Sequence, residues 1–184
     1  MMDFWRDALW QQFGAAIDML DDAILHCPES LWTEPLWIDD ALPPAAAAFP
    51  QFWSITHHVL FWLDLYLYGT LEGFAPPAPF TLCELDPAGA VPDSPYTKDV
   101  LRDYLLSLRT RCQTIVTGLT EEQAGRPCGF PGSRWKSVSY YELQLYNMRH
   151  VQEHGAQLHL FLGQHAIKTE NGWIARATDA QGGA

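Results

Sequence analysis

The sequence predicts an all-α protein in which four long helices pack as a bundle. Apolar residues recur at spacings of three and four over four segments, which is the period of a helix with one buried face. Proline-rich stretches separate these segments, and the two longest leave room for crossover connections. The predicted helices span about 4–27, 51–69, 96–119 and 139–162 within a single domain, 1–184.

The composition is that of a globular protein with a sizeable core, since 48% of the 184 residues are apolar. A net charge of −11 without a lysine or arginine cluster argues against nucleic-acid binding, which requires a basic face. No apolar run approaches the roughly 18 residues that span a membrane. The N-terminus lacks a signal-peptide pattern, and the four cysteines form no CxxC pair. We therefore expect a reduced, cytoplasmic protein.

The first two helices differ in how much of their surface is apolar. The first carries an apolar stripe and ends at Pro28. The second is apolar almost all round, which predicts a central position, and Gly69 is placed to end it. The connector 28–50 contains five prolines that exclude a long helix, and its tryptophans predict contact with one end of the core.

The connector 70–95 contains six prolines and no helical period. Because an irregular segment of this length is uncommon in a compact domain and often functional, it predicts a lid or a pocket wall. The third helix follows, with Ser94 or Thr97 as its cap. Residues 120–137 are rich in glycine and proline and are predicted to be a loop.

The fourth helix is predicted to begin at a capping box formed by Ser139 and Glu142 and to end before Gly163. Beyond it, the dipeptide Asn171-Gly172 separates two short segments, 167–169 and 173–176. This pattern indicates a short C-terminal hairpin or, failing that, an irregular tail.

His150 and His154 lie four residues apart in the fourth helix. At that spacing two side chains differ by about 40° in direction and about 6 Å along the axis, so both project from one face. This face carries the apolar stripe, so both rings point into the protein and require polar partners. A metal ion at roughly 2.0–2.1 Å from each ring would satisfy them, as would ordinary hydrogen bonds in the core.

His58 lies on the apolar stripe of the second helix and would complete a site if the second and fourth helices face each other. Three neutral nitrogens with open positions are typical of a catalytic metal site, whereas a structural zinc normally has a fourth protein ligand. The neighbouring His57 lies about 100° from this stripe. It is the less favoured ligand and is predicted to be a surface residue or an outer partner.

Two segments of the chain resemble the DinB-like (YfiT-like) superfamily of metalloenzymes: FWSITHHVLFWLDLYL at 52–67 and YNMRHVQEHGAQL at 146–158. The resemblance, which spans most of the chain, implies an up-down-down-up bundle. It also implies a divalent metal, zinc or nickel above all, held by one histidine of the second helix and an HxxxH pair of the fourth. Carried over to this sequence, the ligands are His58, His150 and His154.

The same resemblance implies a class of reaction, because members with a known activity are mostly thiol-dependent S-transferases. The partners expected on that basis are a low-molecular-weight thiol and a small electrophilic substrate. The sequence itself shows no dedicated general base, which favours a thiol over water as the nucleophile that the metal activates.

Three polar residues of the fourth helix lie one turn from the histidines. Tyr146 and Asn147 precede His150, and Gln157 follows His154. Ligating histidines usually donate their second N–H to such groups, so these three are candidate outer partners. In the alternative interpretation Tyr146 belongs to the core and Gln157 is an exposed polar residue.

Two other functions compete with the enzyme. The first is a non-catalytic bundle that binds a small molecule or a protein, with Trp32, Trp37 or Trp173 as contacts of a homodimer or as seals of the core ends. The second is a metallopeptidase, because residues 150–154 match the inverted H-x-x-E-H motif around Glu153. That motif needs a downstream carboxylate ligand, and only Glu170 and Asp179 follow it.

Overall fold

The computed structural model describes residues 4–129 and 137–178, and four long helices dominate it. They are α1 (Phe4–His26), α2 (Phe52–Tyr68), α3 (Lys98–Gly118) and α5 (Tyr140–Gln164). A short helix, α4 (Glu121–Gly125), is followed by the antiparallel pair β1 (Pro127–Cys128) and β2 (Val138–Ser139). Single 3-10 turns at Glu29–Leu31, Pro44–Ala46 and Cys83–Leu85 lie in the two long connectors.

Contacts near the helix ends establish the direction of α1, α2 and α5. Trp5 and Tyr141 meet edge to face, with ring centroids 5.4 Å apart, so α1 and α5 start at the same end of the bundle. The Tyr140 hydroxyl at the start of α5 donates to the carbonyl of Leu67 at the end of α2, 2.6 Å away. The helices α2 and α5 are therefore antiparallel.

The helix α3 runs against α1, since Arg6 donates to the carbonyl of Leu119 and Arg102 pairs with Asp21. The order is therefore up-down-down-up, as the family resemblance implied. In this arrangement α1 and α2 each pack on α3 and α5. The consecutive helices α1 and α2 consequently lie on a diagonal of the bundle, and the long connectors make the crossings.

Most helix ends follow the sequence signals, although α5 continues through Gly163, before which it was predicted to end, to Gln164. Thr97 accepts a hydrogen bond from the Val100 amide at the start of α3, and Ser139 accepts one from the Glu142 amide at the start of α5. Gly69 ends α2 with φ at 87°, in the left-handed region that glycine adopts without steric cost.

The predicted central helix, α2, is buried over almost its whole length. Trp32 of the preceding connector is also buried and donates from its indole nitrogen to the carbonyl of Tyr96, 2.8 Å away. Trp32 therefore seals one end of the core and offers no surface to a partner. Trp173, by contrast, is 84% exposed.

A buried polar cluster joins α2 to α3. The Tyr104 hydroxyl donates to the carboxylate of Asp64 at 2.5 Å, and Arg111 pairs with the same carboxylate. Asp64 is 1% exposed, so its charge depends on these two partners for compensation. Burial, reinforced by the hydrogen bond to Asp64, raises the pKa of Tyr104.

The structure differs from the predicted loop at 120–137, and it decides between the hairpin and the tail predicted at the C-terminus. The predicted loop 120–137 contains α4, because Thr120 and Gln123 form a capping box that starts a helical turn. The C-terminal segment from 165 to 178 is a tail without strand pairing, so the hairpin at 167–176 does not form. Its backbone bonds to α1 instead, as in the bond from the Ala177 amide to the carbonyl of Gln11.

No helix in the described ranges combines the length and the apolar character that a membrane crossing requires.

We predict that Tyr104→Phe lowers the free energy of unfolding by about 1.5–3 kcal/mol, because it removes a hydrogen bond to a buried charge. Urea denaturation measures this change. Tyr68→Phe is the matched control, since Tyr68 is 46% exposed, and should change stability far less. Equal stability of the two variants would contradict the assignment of Tyr104 to the Asp64 cluster.

Candidate metal centre

Three histidines from two helices meet where α2 packs on α5. The ring centroid of His58 lies 5.2 Å from that of His150 and 5.2 Å from that of His154, and the latter two are 4.6 Å apart. Their candidate ligand atoms all lie within 4.8 Å of one another. The structure thus brings together the three histidines that the sequence singled out.

The inner nitrogens are spaced as metal ligands would be. The Nε2 atoms of His58 and His150 are 3.3 Å apart. Two imidazole ligands of a tetrahedral ion, at roughly 2.0–2.1 Å each, have nitrogens about 3.3 Å from one another. The same distance also permits one N–H···N hydrogen bond between the rings. In both cases the His150 Nδ1 is buried without a hydrogen-bond partner among the described residues.

A ladder of side chains from α5 sets the register between the two helices. Tyr140, Gln144 and Asn147 donate to the carbonyls of Leu67, Tyr66 and Leu63 on α2. The donors recur at helical spacing, so they lie along one face of α5 one turn apart. The same face continues to the histidine pair, and this ladder therefore places it opposite His58.

The three predicted outer partners differ in how they contact the histidine rings. Gln157 accepts from Nδ1 of His154 at 2.8 Å, so this ring presents Nε2 to the centre. Tyr146 lies nearly parallel to the His150 ring, with centroids 6.3 Å apart, and it hydrogen-bonds Tyr66. Asn147 contacts no histidine in the hydrogen bonds of the described residues, since its amide is used in the ladder.

Glu84 also contacts the centre, although no sequence pattern singled it out. This residue lies in the 3-10 turn of the connector 70–95, and its Oε2 is 2.7 Å from Nδ1 of His58 and 3.2 Å from the Trp62 indole nitrogen. Burial alone would raise the pKa of Glu84, but its interactions with His57 and His58 outweigh burial and lower that pKa to about 2. The only sequence signal was the length of the connector, which indicated a function without indicating a residue.

The expectation that His57 is a surface residue was wrong. Its side chain is fully buried and stacks on Phe80 with ring centroids 5.8 Å apart. The ring turns its Nδ1 toward Oε1 of Glu84 at 3.5 Å, and neither ring nitrogen completes a hydrogen bond within the described residues.

The remaining histidines have ordinary structural roles. Each has one ring nitrogen at hydrogen-bonding distance from a backbone carbonyl, and none belongs to the cluster. The pairs are His26 with Asp22, His159 with Met19, and His165 with Phe161.

The electrostatics of the cluster suit a cation. Burial, and then the proximity of His154 and His58, lowers the pKa of His150 to about 3. Burial, followed by the proximity of His58, likewise lowers the pKa of His154. Neutral imidazoles keep a lone pair for coordination, so the donor set fits a divalent ion such as zinc or nickel.

A cavity of about 210 Å³ lies beside His58. Phe49, Trp62 and Val91 give it apolar walls, and Cys83 and Glu84 add polar atoms from the connector. The connector 70–95 thus forms part of a pocket wall, as its composition predicted.

The geometry does not favour the peptidase motif. Glu153 is exposed, and the amide of Glu170 bonds to Asp22 on α1. Asp179 lies outside the described residues. Within those residues, the group able to hold a metal consists of His58, His150 and His154, without a downstream carboxylate.

We predict about one divalent ion per chain in protein purified without a histidine tag. His58→Ala and His150→Ala should lose it, because each removes one of three ligands, and elemental analysis measures the content. His165→Ala is the control and should keep full content, since that ring bonds only to the Phe161 carbonyl. Full occupancy in both ligand variants would refute the site.

We also predict that the metal-free protein loses stability as the pH falls from 7 to 5. The pKa of His150 is about 3 in the fold against an ordinary value of 6.5, so in this range the unfolded chain binds the extra proton. The free energy of unfolding therefore decreases with falling pH, by at most about 1.4 kcal/mol per pH unit for this group. Urea midpoints of His150→Gln should decline less than those of the wild type; identical declines would contradict the assignment.

Comparisons with known proteins support the fold. A family model described as the DinB superfamily matches residues 6–158. The structure of YfiT from Bacillus subtilis, described as a probable metal-dependent hydrolase with an unusual four-helix bundle topology, aligns with a TM-score of 0.61 at 15% identity, over 91% of each chain. That likeness shows a shared fold, and no curated protein matches the sequence. Because the family model spans most of the chain, the protein belongs to the DinB superfamily.

Proposed function

We propose that this protein is a metal-dependent enzyme that activates a small nucleophile at the centre formed by His58, His150 and His154. The observation that carries the proposal is the convergence of three imidazoles without a fourth protein ligand among the described residues. A divalent cation held there would act as a Lewis acid with open positions and would lower the pKa of a bound thiol or water.

The residues around the three histidines favour a low-molecular-weight thiol as the nucleophile. Glu84 is the one carboxylate hydrogen-bonded to a ring of the centre in the described part of the chain, and it is already engaged by His58 and Trp62. Activation of water would call for a free base beside the centre. A thiol does not require such a base, because it ionises near neutral pH once a cation stabilises the thiolate.

The proposed reaction is an S-transfer. The thiolate sulfur attacks an electrophilic carbon of the substrate, the carbon–sulfur bond forms, and the bond to the leaving group breaks. The thiol proton passes to solvent, and the leaving group departs with the electron pair of its bond. The protein contributes by orienting His58 and His154 through Glu84 and Gln157.

The size and lining of the cavity beside His58 favour a small, partly apolar electrophile as the substrate. Its volume of about 210 Å³ is somewhat larger than the roughly 150 Å³ cavity that holds benzene in an engineered protein core. Phe49 and Trp62 offer aromatic surface on two of its walls. A substrate bound in this cavity would lie next to His58, one of the three histidines of the centre.

Hydrolysis is a second candidate, favoured by the description of YfiT as a probable metal-dependent hydrolase. In that case the same centre would activate water in place of a thiol.

We predict that turnover of a small aryl halide requires both added zinc or nickel and a low-molecular-weight thiol. Product formation is followed by mass spectrometry for the metal-loaded protein, for chelator-treated protein and for His58→Ala, with His165→Ala as the control that keeps activity. Ester hydrolysis with metal but without thiol would favour the hydrolase instead. Absence of both activities across a panel of thiols and electrophiles would favour the non-catalytic bundle.

A further inference from the structure

Glu84 is the residue through which the connector 70–95 hydrogen-bonds to the histidine centre. We propose that Glu84 is a positioning residue that couples metal binding to docking of this connector on α2. The inference rests on the proposed metal centre. It states that the docking of Glu84 and its turn on α2 depends on whether a metal ion is bound.

The contact between Glu84 and His58 fixes which nitrogen of that ring faces the centre. Oε2 of Glu84 lies 2.7 Å from Nδ1 of His58, so Nδ1 carries a proton that it donates to the carboxylate. The lone pair is then on Nε2, which is the atom 3.3 Å from Nε2 of His150. A carboxylate behind a ligating histidine in this way orients the ring and raises its basicity.

Three side chains of α2 converge on this one carboxylate. The Trp62 indole nitrogen donates to the oxygen that His58 also contacts, at 3.2 Å. Nδ1 of His57 faces the other oxygen at 3.5 Å from a fully buried ring. The carboxylate is 7% exposed, so its charge is compensated almost wholly by groups on α2.

The rest of this turn is held mainly by apolar contact, because Leu85 packs against the buried cluster of Phe61, Leu65 and Phe74. Every side chain from 81 to 91 is at least partly exposed to solvent. The Leu85 and Asp86 amides bond within the turn, and the Val91 amide reaches the carbonyl of Ala45 in the other connector at 3.2 Å. Glu84 is therefore the main polar tie between this turn and the bundle among the described residues.

The coupling is reciprocal. A cation at Nε2 withdraws charge from the ring, so Nδ1–H becomes a stronger donor to Glu84 and the turn docks more firmly. By linkage, a docked carboxylate must favour the cation by the same free energy. Removing such a carboxylate typically lowers metal affinity roughly 10–100-fold.

The test compares Glu84→Gln with the wild type and with Glu72→Gln. The first substitution keeps the shape of the side chain and removes its charge, and Glu72 is an exposed carboxylate in the same connector. Zinc affinity is measured by competition with a chromogenic chelator. Hydrogen exchange of peptides covering 83–91 is measured with and without zinc, because the Leu85, Asp86 and Val91 amides report on docking, and the α1 and α3 peptides confirm that the variant is folded.

We expect Glu84→Gln to bind zinc at least about tenfold more weakly than the wild type and Glu72→Gln. We also expect zinc to slow exchange at 83–91 in the wild type and in Glu72→Gln but not in Glu84→Gln. Equal affinity of Glu84→Gln, or exchange that zinc leaves unchanged in the wild type, would overturn the coupling while the metal centre stands. A wild type that binds no zinc or nickel would overturn the proposed function together with the coupling.

Discussion

The packing of three imidazole rings between α2 and α5 is the constraint on which the site depends. A buried ring nitrogen without a partner costs a few kcal/mol, so a register that pairs the ring nitrogens of the site is favoured. The outer nitrogens of His58 and His154 do so with Glu84 and Gln157. The inner nitrogens face one another, and a shared cation would offset the repulsion among their lone pairs.

The register itself comes from a polar ladder rather than from the apolar core. Apolar contacts are non-directional, so helices packed by them alone can slide at low cost. Donation from Tyr140, Gln144 and Asn147 to carbonyls at the end of α2 is directional and spans two turns of α5. This ladder is continuous with the histidine pair, and it thereby links the stability of the bundle to the geometry of the centre.

The parallel orientation of the neighbouring helices α2 and α3 explains why the site has a connector beside it. Consecutive antiparallel neighbours would need only a short loop, whereas parallel neighbours such as α2 and α3 require a connector that returns along the length of the bundle. The connector 70–95 passes over α2 on its way to α3 and brings Glu84 to His58. The topology thus supplies a third element to a centre whose ligands come from two helices.

Helix periodicity determined the four helices, their caps and the faces on which His58, His150 and His154 lie, because these depend on neighbours within a few residues. The family resemblance added the helix order and the pairing of these faces. Periodicity could not show that Thr120 and Gln123 start α4, since a capping box within a glycine-rich stretch is a weak signal, or that the tail pairs with α1 and not with itself. Only the tertiary structure decided the roles of Glu84, His57 and Asn147. Their partners are distant in sequence, and a contact between a connector and a helix depends on the path of the whole chain.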